Sequence, residues 1–170
     1  MATEFGYGGT NGIYFNVKNI ETFAIVEGQG VKITPSVVAE YSQTGDPIFP
    51  VEVNDIADGT SGEGGVVLGV ARRNIGPGKV GSIVVFGLAR ILSDGVLITG
   101  DVIAPKGDIF LGFFTKALGA SHESPCGYMI EPVSASEVTS AIPKLAFVDF
   151  IASATHVTPS SGDKFHGIAF

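Results

Sequence analysis

Residues 65–105 read GVVLGVARRNIGPGKVGSIVVFGLARILSDGVLITGDVIAP, and this block constrains the fold more than any other stretch. It holds three apolar, β-branched runs: Val66–Ala71, Gly81–Leu92 and Val96–Ala104. Turn-forming residues separate them, Asn74 to Lys79 first and Ser93-Asp94-Gly95 second. Asp-Gly between apolar runs is a hairpin cue, because both residues tolerate positive φ. Thr99-Gly100-Asp101 interrupts the third run. Short strands with Gly-centred turns at this spacing predict an all-β fold, either a small barrel or a sandwich of antiparallel strands.

The flanks continue this reading. Ile13–Val26 predicts one or two strands, and Val31-Lys32-Ile33 alternates as a half-buried strand does. Ile48–Val53 predicts another short strand, which Pro47 and Pro50 assign to an edge. Residues 58–65 (DGTSGEGG) read as an exposed loop or a boundary. After the central block come Ile109–Phe114 (IFLGFF), a polar loop over 119–126 and a strand over Gly127–Val133. Ser134–Ser140 predicts one helical turn, with Ser134 as N-cap and Glu137 three residues on. A last strand is expected over Ala146–Ala152, with Asp149 at its polar position. The expected organisation is an N-terminal arm over 1–20, a β domain over 21–152 and a tail over 153–170.

Charge and cysteine usage exclude several classes. Only 16% of the chain is charged, against about 25% in ordinary soluble domains. Either much surface is buried against other subunits, or it is coated with small polar residues; a mean hydropathy of +0.37 favours the first. The net charge of −7 argues against direct nucleic-acid binding. It is unevenly spread: residues 1–60 carry eight acidic and two basic side chains, whereas residues 61–120 carry four and six. Cys126 is the only cysteine, so neither an intrachain disulfide nor a thiolate zinc site is expected. No apolar run reaches transmembrane length, and residues 1–12 lack the features of a signal peptide, so no membrane partner is expected.

Catalytic patterns are weak. His122, His156 and His166 have no metal-ligand spacing. Gly76-Pro77-Gly78-Lys79 lacks the first Gly and the Ser or Thr of a phosphate loop. Gly59-Thr60-Ser61-Gly62 misses the nucleophile-elbow spacing by one position. His122 and Cys126 lack a visible third, orienting group. Asp94, Asp101 and Asp108 each neighbour a Gly, as turn residues do. No enzyme, metal or cofactor is expected. The binding candidates are aromatic instead: Phe5, Tyr7, Tyr14 and Phe15 near the N-terminus, and Phe110, Phe113 and Phe114 in IFLGFF. The first four read as a docking arm or as a loose terminus, and the last three as core or interface.

The stretch over roughly 48–152 resembles the small decoration, or cement, proteins of tailed-phage capsids. The similarity is carried by Leu68-Gly69-Val70-Ala71, Gly76-Pro77-Gly78, the strand Gly81 to Ala89 and Ile98-Thr99-Gly100-Asp101-Val102-Ile103. Gly127–Glu131 and Ala146–Ile151 look like the family's closing strands. The resemblance implies a β-tulip-like, non-enzymatic virion protein. It implies binding to the major capsid protein on the outer surface of an assembled shell, stabilisation of that shell, and self-association as a homotrimer. Other phage modules (baseplate, fibre or tail) are the alternative, with a β-barrel ligand-binding domain or enzyme behind them.

Overall fold

The computed structural model describes residues 12–33, 40–53, 67–106, 111–118 and 125–151. Ten strands occur among them. They are β1 (Ile13–Asn19), β2 (Gly30–Ile33), β3 (Glu40–Tyr41), β4 (Pro47–Val53), β5 (Val67–Ala71), β6 (Val80–Ile91), β7 (Val102–Pro105), β8 (Phe114–Lys116), β9 (Gly127–Met129) and β10 (Lys144–Asp149). A five-residue helix, α1 (Ala135–Thr139), precedes β10.

Five strands close a barrel in the order β1-β4-β2-β5-β6, and β6 returns to β1. The expected all-β barrel is therefore the fold. β1 runs parallel to β4, with Val17 opposite Phe49, and antiparallel to β6, with Val17 opposite Gly81. The interior is filled by β-branched residues such as Val17, Val31, Val51, Val70 and Ile83, all fully buried. Branched side chains pack well on a pleated surface and lose little rotamer freedom there.

β6 is the strand that makes more than a barrel. Its first half, Val80 to Phe86, pairs with β1, and its second half, Phe86 to Ile91, pairs with β10. Gly87 lies at the changeover with φ of +114°, a conformation that L side chains rarely adopt. Beyond β10 the sheet continues through β9 and β7 to β8. The molecule is thus a closed barrel with a sheet extending from one of its strands.

Several sequence expectations are corrected. β1 lies inside the barrel wall, so residues 13–20 belong to the β domain rather than to an arm. β4 is not an edge: it pairs with β1, β2 and β3. Pro50 is tolerated because the β3 register ends at Ile48 and the β2 register begins at Val51. The Asp94-Gly95 cue does not join two paired strands. β6 pairs with β10, whereas β7 pairs with β8 and β9. Ser93 instead closes a local turn, its hydroxyl donating to the Gly95 carbonyl at 2.7 Å. The amide of Asp94 donates to the Phe114 carbonyl at 3.0 Å, which ties the turn to β8. The third run is strand only over its end, because Gly100 turns at φ of +88° just before β7.

Candidate interaction surface

The sheet extending from β6 has two faces of different character. Residues directly opposite each other on neighbouring strands project to the same face. Ala89, Ala146 and Met129 form one such row and are buried. Val148, flanked by Gly87 and Gly127, belongs to another inward row and is fully buried. Val148 and Ile103 are both completely enclosed, so this face is core.

The other face looks outward, and its central row is apolar across four strands. Leu88 on β6 is opposite Phe147 on β10, Phe147 opposite Tyr128 on β9, and Tyr128 opposite Val102 on β7. Leu88, Tyr128 and Val102 are 39%, 47% and 46% exposed. The rings of Tyr128 and Phe147 stack at 5.4 Å with 21° between their planes. Phe86 meets Phe147 edge-on at 5.2 Å. These contacts fix the ring positions before any partner arrives, which lowers the entropy cost of using them in an interface. Two charges flank the row on the same face: Arg90, opposite Leu145, on one side, and Asp149, opposite Phe86, on the other.

Close backbone approach builds this face. A Cβ placed on Gly127 would lie 2.0 Å from the Phe147 carbonyl oxygen, so only Gly lets β9 come this near β10. The turn entering β7 is braced by charge. Asp101 accepts the Ile98 amide at 3.0 Å and pairs with Lys116 at 2.7 Å. The backbone hydrogen bond, and then the Lys116 ammonium, hold the Asp101 carboxyl below the usual range. A second brace links Lys106 to Asp94 at 2.7 Å.

The residues singled out from sequence fall elsewhere. Phe5, Tyr7 and Phe110 lie outside the described residues, as do the three histidines. Tyr14 lies beneath the Arg72 guanidinium, 4.5 Å from ring centroid to cation. Phe15 packs on Phe49 at 5.5 Å, and both rings lean on the core. Phe113 is half-buried. Phe114 is fully buried and packs 6.1 Å from Phe150. Phe114 is therefore core and not a contact residue, because it is paired into the sheet between β7 and the backbone at Leu92 to Asp94. The aromatic face of Phe86, Leu88, Tyr128, Phe147 and Val102 was missed. Its signal was available: Phe86, Leu88, Leu145 and Phe147 put four apolar residues at outward positions of β6 and β10, beside the charged Arg90 and Asp149. Such a strand is either covered on both faces or carries an unpartnered one.

No family model matches the chain, and no curated protein does. Among solved structures it is similar to the head fiber gp8.5 N base of bacteriophage phi29. The identity is 8%, the match covers 81% of this chain and 94% of that one, and the TM-score is 0.46.

Proposed function

We propose that this chain is a structural virion protein that binds the outer surface of an assembled phage capsid and stabilises it. One observation carries the reading: a sheet face that is apolar and aromatic over four adjacent strands, on a domain with its own complete core. Soluble domains seldom leave such a face uncovered unless it meets another protein. A low charge fraction and pre-positioned aromatic rings fit a protein whose work is contact. The resemblance over 48–152 supplies the partner class, the major capsid protein, and a homotrimeric self-association. The motif strand Gly81 to Ala89 lies within β6, the strand that joins barrel to extended sheet. The motif Ile98 to Ile103 forms the turn into β7. In this reading the chain catalyses nothing and needs no cofactor.

The test is co-sedimentation of the purified chain with shells stripped of surface proteins, with bound copies counted per shell. Saturation at a number set by lattice symmetry is the expected result. Binding at a few copies per shell would indicate a vertex, fibre or tail component. No binding to expanded or unexpanded shells would overturn the proposal.

A further inference from the structure

Of the ten basic side chains, all but Lys164 lie among the described residues. Lys18, Lys32, Lys106, Lys116 and Lys144 each pair with a carboxylate. Of the described bases that form no ion pair with a described residue, Arg72, Arg73 and Lys79 share one loop, the turn from β5 to β6. In a chain of net charge −7, this end of the barrel carries a basic loop that the chain's own acids do not neutralise. We infer that the loop docks an acidic, partly apolar segment of another protein.

The loop is held in place before any partner arrives. Ile25 and Ile75 exchange amide-to-carbonyl bonds at 3.0 and 2.7 Å, the Gly78 amide donates to the Asn19 carbonyl at 2.8 Å, and the Asn19 amide donates to the Lys79 carbonyl at 3.0 Å. A fixed loop loses little entropy on binding. The Arg72 guanidinium rests over the Tyr14 ring, which positions it while leaving N–H donors for a carboxylate. Two carboxylates belong to this end, and neither forms an ion pair with the loop. Glu21 accepts the Val53 amide at 3.1 Å. Glu27 is tied in through its own amide, which donates to the Asn74 side-chain oxygen at 2.9 Å. Phe23 and Val80 stand at the same end, 44% and 54% exposed. Exposed apolar groups beside arginines suit a protein partner. They offer nothing to a phosphate backbone, and the net charge repels nucleic acid. This contact is separate from the apolar sheet face and stands whether or not the chain binds shells.

Titration of the isotope-labelled full chain with a short synthetic peptide of glutamates and leucines, followed by nuclear magnetic resonance at low salt, tests it. Amide shifts are expected over 20–27 and 72–80, and added salt should weaken the binding. Arg73→Glu and Lys79→Glu are each expected to raise the Kd at least about tenfold. Arg90→Glu makes the same change in net charge on the extended sheet and should leave the Kd within about twofold. Phe23→Ser weakens binding without altering its salt dependence. All four positions are exposed, so the thermal midpoint is retained in each variant. No shifts at about 1 mM peptide, shifts confined to another surface, an Arg90→Glu loss as large as that of Arg73→Glu, or tighter binding of a DNA duplex to the same loop would overturn the inference.

Discussion

The side-chain amide of Asn19 donates a 2.8 Å hydrogen bond to the carbonyl of Ile75, a residue 56 positions away. The same amide group donates to the Phe23 carbonyl at 2.8 Å, and its oxygen accepts the Glu21 amide at 2.8 Å. Asn19 is completely buried and so is its bond to Ile75, so water cannot replace that bond. One side chain therefore fastens the segment after β1 to the loop between β5 and β6, at one end of the barrel.

Asn19→Ala removes three satisfied bonds, although the Ile75 carbonyl keeps the Ile25 amide at 3.0 Å. At about 1 kcal/mol each, with desolvation added, the loss should be about 2–4 kcal/mol in urea unfolding. Asn19→Asp should cost more, since it keeps the Glu21 contact but turns a carboxylate oxygen towards two carbonyls. A loss below about 0.5 kcal/mol for both variants would show that the barrel end does not depend on this residue.

Gly127→Ala tests the close approach of β9 and β10. The added methyl would sit 2.0 Å from backbone, which cannot rotate away as a side chain can. The strands must separate, and the stacking of Tyr128 on Phe147 goes with them. The expected cost is about 3 kcal/mol or more, read as a lowered thermal midpoint or loss of soluble protein. An unchanged midpoint would mean that β9 contributes little to the sheet.

These two residues also show what the sequence could and could not disclose. The runs Val66–Ala71 and Gly81–Leu92 became β5 and β6 almost residue for residue, because β-branched alternation and Gly turns act locally. The Ser134 and Glu137 pair likewise capped α1, with the Ser134 amide donating to the Glu137 carboxylate at 2.8 Å. Barrel closure was not legible. The pairing of β1 with β6, and the parallel pairing of β1 with β4, join segments far apart in the chain, and no turn signal encodes them. Nor was the candidate face. Phe86, Leu88, Tyr128 and Phe147 come from three strands, and only the register puts them in one patch. IFLGFF drew attention instead because its apolar residues are contiguous in sequence, although Phe114 spends its ring on the core.

Cys126 should resist thiol reagents while the protein is folded. Its side chain is 1% exposed, with Sγ 3.6 Å from the Ile103 carbonyl oxygen. Burial pushes the thiol well above its ordinary pKa, and the nearby Asp149 charge raises it further. Because the thiolate is the reacting form, labelling at pH 8 must wait for opening of the sheet between β9 and β7. Labelling should be at least about a thousandfold slower than in denaturant. Rapid labelling under native conditions would show that β9 opens independently of the barrel.

Glu137 gives the stability a defined acid limb. The Lys144 ammonium, then the Ser134 amide and hydroxyl, hold its pKa at about 2, below the ordinary glutamate value of 4.5. A carboxylate with a depressed folded-state pKa stabilises the fold fully above its unfolded value, and that contribution fades as pH falls through the folded one. The window is therefore between about 4.5 and about 2. Wild type and Glu137→Gln should differ in unfolding midpoint at pH 6, with the variant lower, and the two curves should converge as the pH approaches 2. The pair is solvent-accessible, so added salt should shrink the gap at pH 6 without abolishing it, since the helix-capping bond to the Ser134 amide is screened less than the ion pair. Parallel curves across the whole range would mean that Glu137 is not charged preferentially in the folded state. In that case the link between α1 and β10, made by Glu137 and Lys144, would contribute no pH-dependent stability.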